Sequence, residues 1–148
     1  MVGVIGLRGD VRFDVLADRL AKADVNAVIL DPQQVYGKEM LLSAVEHAER
    51  AFAQGENSSK TLLTEIILYS SGERQISKAI SKMRPKECSY VVVILDDCDD
   101  SIFGDLERDD SLIDGNEEKV RIMGLDPRYP DMSALERVAM VDVLKKVK

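Results

Sequence analysis

The segment Tyr90–Leu95 is apolar throughout, and any fold of this chain has to bury it. Its six residues match the length of a strand, and a strand without polar alternation is buried on both faces. We therefore expect it at the centre of a sheet. Val2–Leu7 and Ala27–Leu30 are also apolar and rich in β-branched residues, and they predict two further strands.

Helical spacing of apolar residues is the second pattern in the chain. It predicts helices around Phe13–Leu20, Lys38–Phe52, Leu62–Ile67, Glu73–Met83 and Glu117–Met123. A capping box at Ser133–Glu136 predicts a terminal helix that reaches Val147. Shorter elements are expected as a strand at Gln33–Tyr36, a helix at Ile102–Leu106 and an edge strand at Ser111–Ile113.

These elements do not alternate as repeated β-α-β units, so we predict an α+β fold. A length of 148 residues suits a single domain, 1–148, with a small mixed or antiparallel sheet packed against several helices. No apolar segment is long enough to cross a bilayer, and Arg8 and Asp10 follow the first apolar segment closely. We expect no membrane association, no cleaved secretory signal and a cytoplasmic location.

Charge is distributed unevenly along the chain. The net charge is -7, which argues against a general nucleic-acid binder. However, residues 60–86 hold six basic and two acidic residues, a net charge of +4. Residues 96–118 hold eleven acidic residues and one arginine, a net charge of -10. The two segments would attract partners of opposite charge.

No pattern of residues indicates an enzyme. The acidic run Asp96–Asp100 lacks the spacing of a calcium loop, and we interpret it as a solvated loop, with a magnesium-binding acidic pair as the alternative. His47, the only histidine, lies off the apolar face of its helix and is expected to be solvated. Cys88 and Cys98 fit no nucleophile motif. We predict no catalytic residues, no bound metal and no cofactor.

A basic strip is the first feature that suggests binding. Arg74, Lys78 and Lys82 recur every fourth residue and share one helix face, and Arg84 and Lys86 extend the line beyond the helix. Arg74 and Gln75 fall in the predicted first turn, where free N–H groups and the helix dipole favour an anion. We predict a phosphate-binding surface; an ordinary charged helix face is the alternative.

The terminal helix is the second such feature. Its apolar residues reach all round the helix axis, so it should be buried on more than one side. One side can pack on the sheet of the domain, and the other could pack on another protein. The alternative is a helix buried wholly within the domain.

The segment from Thr64 to Ile80, TEIILYSSGERQISKAI, resembles the hallmark of the small kinase-binding subunit of the KEOPS complex, the PRPK-binding protein (TPRKB) family. Gly6–Gly9, Val28–Gly37, Val91–Ile94 and the pair Glu136-Arg137 also match this family in order. The chain is similar to archaeal-type members over nearly its whole length.

The resemblance implies a non-catalytic subunit with an α+β fold. KEOPS makes threonylcarbamoyladenosine in tRNA, and the subunit that this chain resembles binds the atypical kinase/ATPase subunit. In archaeal members it also helps to hold the 3′ CCA end of the tRNA. On this basis Arg74 and Gln75 are expected to contact phosphate and a base edge. Four more basic residues are RNA-binding candidates that would steer the acceptor stem: Lys60, Lys78, Lys82 and Arg84.

The kinase-docking surface is predicted on the terminal helix, on the side that carries Met140, Val141 and Leu144. Two other functions remain open from the residues themselves. One is a protein–protein adaptor that never contacts RNA. The other is a small metal-dependent enzyme built on Asp96–Asp100.

Overall fold

A four-stranded antiparallel sheet forms the middle layer of the molecule. The computed structural model describes residues 2–147. The strands lie in the order β2-β3-β1-β4. Their bounds are β1 Gly3–Arg8, β2 Ala27–Leu30, β3 Ser89–Ile94 and β4 Glu107–Arg108. The predicted central strand is β3, which pairs with β1 on one side and β2 on the other and is buried on both faces.

Helices cover both faces of the sheet. The six α-helices are α1 Phe13–Lys22, α2 Lys38–Ala53, α3 Leu62–Ser71, α4 Ile76–Met83, α5 Glu117–Met123 and α6 Pro130–Leu144. Helices α2, α3 and α6 bury Val91 and Val93 on one face. Helix α1 and Phe103 bury Tyr90 and Val92 on the other face. The predicted α+β class is confirmed. Within residues 2–147, every helix is too short or too polar to pass through a bilayer.

Aspartate side chains explain why two predicted short strands are absent and why the predicted helix at Ile102–Leu106 forms earlier, as a 3-10 helix. The segments around Gln33, Ile102 and Ser111 form 3-10 helices, at Pro32–Gln34, Asp100–Phe103 and Asp110–Leu112. In each, the carboxylate of the preceding aspartate accepts a backbone N–H two residues later, which favours a tight helical turn.

Two helix starts also differ from the prediction. Helix α4 begins at Ile76 rather than Glu73, because the Ser71 hydroxyl accepts the N–H of Glu73 and holds the chain in a turn. Helix α6 begins at Pro130, and the Ser133 hydroxyl accepts the N–H of Asp126 instead of capping the helix. Proline at the first helical position needs no hydrogen-bond acceptor for its nitrogen.

Candidate functional site

The structure brings three of the six predicted RNA-binding residues together. Arg74 and Gln75 lie in the turn between α3 and α4, and Lys78 lies in the first turn of α4. All three are exposed. Among residues 2–147, neither Arg74 nor Lys78 forms a salt bridge, although their neighbour Lys82 does. Two full positive charges are therefore available at one place on an acidic protein.

The N-terminus of α4 adds hydrogen-bond donors to this place. The first N–H with a partner inside the helix is that of Ala79, which donates to the carbonyl oxygen of Gln75. The Gln75 side chain makes no capping hydrogen bond, and the first turn holds no acidic residue. The N–H groups of Ile76, Ser77 and Lys78 thus point outward at the positive end of the helix dipole, an arrangement that suits a phosphate.

The remaining three candidates do not join this cluster. Lys82 is half-buried, and its Nζ lies 3.5 Å from Glu73 Oε1. Burial, with the nearby Arg137 guanidinium, lowers the pKa of Lys82. The Arg84 guanidinium stacks on the Phe13 ring, 4.6 Å from its centroid. Lys60 precedes α3, about 15 Å from the α3–α4 turn on the length of a ten-residue helix.

Arg137 on α6 packs against Gly72 in the α3–α4 turn, a contact that the sequence did not reveal. Gly72 ends α3 with φ +73°, and a Cβ there would lie 2.5 Å from Arg137 Cγ. Arg137 Nη2 donates to Gln34 Oε1 at 3.1 Å, while Nε and Nη1 are buried without a partner among the described residues. Burial lowers the pKa of Arg137 to about 10. A helical arginine is usually exposed, so only the fold shows this packing.

The structure leaves two of the three predicted docking residues on α6 accessible and buries the third. Met140 is 47% exposed and Leu144 is half-buried, but Val141 is fully buried in the core. Val141 therefore has to be removed from the docking surface. Val143, 53% exposed, and Met132, 64% exposed, extend the apolar surface along the helix. We call Met132, Met140, Val143 and Leu144 the α6 stripe. A helical wheel could have identified these exposed residues if the core-facing side of α6 had been known.

The prediction that His47 is solvated is wrong, because His47 is part of a polar cluster. Its Nδ1 lies 2.8 Å from Asp142 Oδ2 on α6, and its ring lies 5.4 Å from the Tyr69 ring. Tyr69 is fully buried and donates its hydroxyl hydrogen to the other oxygen of Asp142. Burial alone raises the pKa of Asp142, but the bonds from Tyr69 and His47 outweigh it and lower the pKa overall.

A buried ion pair continues this cluster to α3. Lys145 Nζ donates to Glu65 Oε2 at 2.5 Å and to the Tyr69 hydroxyl at 2.8 Å. Glu65 is fully buried and also accepts the N–H groups of Ser58 and Ser59. Burial raises the pKa of Glu65, yet these hydrogen bonds bring it below its ordinary value. The cluster ties α6 to α2 and α3, so that α6 holds a fixed position while its outer face is exposed.

The acidic segment 96–118 is neutralised in part by two arginines from elsewhere in the chain and by its own Arg108. Arg19 holds Asp105 with two hydrogen bonds, of 2.5 and 2.7 Å, and Arg8 pairs with Asp109. Arg108 pairs with Asp110. Among the residues that the structure describes, no three His, Cys, Asp or Glu side chains are grouped so as to hold a metal ion.

Comparison with family models identifies a family that this chain matches. The family model described as "Kinase binding protein CGI-121" matches residues 10–126, well over half of the chain. The matched range includes α1 to α5 and the whole α3–α4 turn, and it ends before α6. No curated protein matches the chain.

Proposed function

Because the chain belongs to the CGI-121 family of kinase-binding proteins, we propose that it is a non-catalytic, cytoplasmic subunit of the KEOPS complex. It binds the atypical kinase/ATPase subunit through the α6 stripe, and it holds the 3′ CCA end of a tRNA at the α3–α4 turn. The RNA role is the one that archaeal-type members of the resembled family perform.

The observation that carries the partner-binding part is the exposure of apolar side chains along α6. Met132, Met140 and Val143 are each about half exposed or more, on a helix whose opposite face is fully buried. An apolar row on a fixed helix is a surface that a protein partner can cover at little entropic cost, because the helix is already ordered.

The RNA-binding part rests on the charges at the α3–α4 turn. Arg74 and Gln75 directly precede α4, and Lys78 lies in its first turn, so all three are close in sequence to its free N–H groups. A phosphate bound there could meet a guanidinium, an ammonium and backbone donors together. The 3′ end of a tRNA is single-stranded, which lets its backbone approach such a small site.

A titration with intact tRNA and with tRNA lacking its CCA end tests the RNA-binding part. The variant Arg74→Glu/Lys78→Glu is compared with Lys38→Glu/Arg121→Glu, which reverses two exposed charges outside the α3–α4 turn. We expect the first variant to lose at least tenfold in affinity for intact tRNA and the second to change little. The titration is repeated at several salt concentrations. The slope of log affinity against log salt concentration should be smaller by roughly 1.4 in Arg74→Glu/Lys78→Glu than in the wild type, the value for two lost single-strand phosphate contacts.

A protein–protein adaptor without RNA contact is the second candidate. The net charge of -7 and the pairing of Lys82 with Glu73 favour it, because both weaken the attraction for RNA. This candidate predicts that Arg74→Glu/Lys78→Glu leaves both tRNA binding and tRNA modification by the assembled complex unchanged. Equal affinity for tRNA with and without its CCA end would also favour it over the first proposal.

A further inference from the structure

Strand β2 leaves part of its backbone open at the edge of the sheet. The N–H of Leu95 donates to the carbonyl oxygen of Asn26 at 2.9 Å, which fixes the alternation of the β2–β3 ladder. Asn26, Val28 and Leu30 therefore direct their N–H and C=O groups toward β3, and Ala27 and Ile29 direct theirs outward.

The chain itself covers one end of this open edge. The N–H of Asp31, two residues beyond Ile29 on the same outward side, donates to the carbonyl oxygen of Met83 at 2.8 Å. Within residues 2–147, no comparable partner lies against Ala27 or Ile29. The outward groups of these two residues are therefore ready to pair with a further strand, the usual property of an uncovered edge.

An apolar groove lies along the open edge, and we call it the edge groove. Helix α1 supplies one wall with Phe13 and Leu20, and α3 supplies the other with Leu63 and Ile67. Its volume is about 320 Å³, and β2 forms its floor. In a strand added to β2, successive side chains would point alternately to the α1 wall and the α3 wall, and both walls are apolar.

One wall of the edge groove carries a positive charge. Phe13 lines the groove, and the Arg84 guanidinium stacks on its ring, 4.6 Å from the centroid. Arg84 forms no salt bridge among the described residues. An extended apolar segment that places an acidic residue beside Phe13 would therefore complement this charge.

We propose that the edge groove binds an extended segment of a partner protein, which adds to β2 as a fifth strand. The segment is apolar along most of its length and carries an acidic residue beside Arg84. This surface is separate from the α6 stripe and from the α3–α4 turn, so it would give the protein a second protein-binding surface. The proposal stands whether or not the chain binds RNA.

Peptide selection and two pairs of variants test the proposal. Random twelve-residue peptides displayed on phage are selected on the full-length chain, with Ile67→Glu as the counter-target. Selected peptides are then titrated against Ala27→Pro and Ala27→Ser. Proline removes only the outward N–H, which the β2–β3 ladder does not use, whereas serine retains it. Val15→Glu, an exposed position on α1 outside the edge groove, is the control for the charge at Ile67.

We expect the wild type, Ala27→Ser and Val15→Glu to bind the selected peptides equally. We expect Ala27→Pro to bind at least fivefold more weakly, the effect of one lost hydrogen bond. In the wild type, the peptide should also slow hydrogen exchange at the amides of Ala27 and Ile29, a readout that does not depend on any variant folding.

Three results would overturn the proposal. The first is that no peptide is retained by the wild type over Ile67→Glu. The second is that selected peptides bind Ala27→Pro as well as Ala27→Ser and leave the exchange of both amides unchanged. The third is that the oligonucleotide CCA, rather than any peptide, protects these amides, which would make the edge groove an RNA site.

Discussion

Removal of the Lys145 ammonium should destabilise the protein strongly. In Lys145→Met the apolar stem of the side chain is kept, but Glu65 is left as a fully buried carboxylate without its cation. Loss of one partner from a buried ion pair costs about 3–5 kcal/mol. Glu65 keeps its bonds from Ser58 and Ser59, so we expect the lower end, about 3 kcal/mol.

Urea denaturation followed by circular dichroism measures this loss. Lys146→Met is the matched control, because Lys146 is the exposed neighbour and should change the free energy of unfolding by less than about 0.5 kcal/mol. The double variant Glu65→Gln/Lys145→Met should be at least about 1 kcal/mol more stable than the sum of its single variants predicts, since it leaves no unpaired charge. A loss below about 1 kcal/mol in Lys145→Met, or strict additivity in the double variant, would contradict the role of the pair in holding α6.

Two further perturbations follow from the same region. The pKa values of Glu65 and Asp142 lie below their ordinary values of 4.5 and 3.8, so their stabilisation is complete above roughly pH 5 and is lost as the pH falls through the folded-state values. Urea titrations between pH 6 and pH 3 should show a smaller acid-induced loss of stability in Glu65→Gln/Asp142→Asn than in the wild type; an equal loss would place the acid sensitivity elsewhere. Gly72→Ala should unfold at lower urea concentration than Gly55→Ala, because both glycines have positive φ but only at Gly72 would the Cβ collide with Arg137. Equal midpoints for the two alanine variants would show that Arg137 moves aside freely.

The sequence predicted the elements whose apolar pattern is long and regular. Strand β3 was found because Val91, Val92 and Val93 have no polar residue between them, and α2 was found from its apolar face. Short elements failed because a single side chain decides them. The Asp31 carboxylate, for example, accepts the N–H of Gln33 and turns a predicted strand into a 3-10 helix.

Contacts between residues distant in sequence were harder to predict than the candidate RNA-binding residues. Arg74, Gln75 and Lys78 are close along the chain, and their pattern was visible. His47 and Asp142 are 95 residues apart, so no local pattern could reveal their hydrogen bond. The contacts of Arg137 are also with residues distant in sequence. The sequence analysis could therefore note Arg137 only as part of the match to the resembled family.

Position on the helix wheel decides which of the predicted docking residues on α6 are accessible. The apolar residues reach all round the axis, and the sequence alone does not say which side packs on the sheet. The structure places Val138 and Val141 inside and Met140 and Val143 outside. One face of α6 therefore belongs to the core, and the other face is exposed.

The affinity of the kinase/ATPase subunit for variants of the α6 stripe tests the central claim most directly. Isothermal titration calorimetry would compare the wild type with Met140→Glu, Leu144→Glu and the control Val15→Glu, each first shown to be folded by its unfolding transition. The account predicts that Met140→Glu and Leu144→Glu lose at least a hundredfold in affinity while Val15→Glu binds like the wild type. Wild-type affinity in a folded Met140→Glu variant would contradict the assignment of α6 as the docking surface.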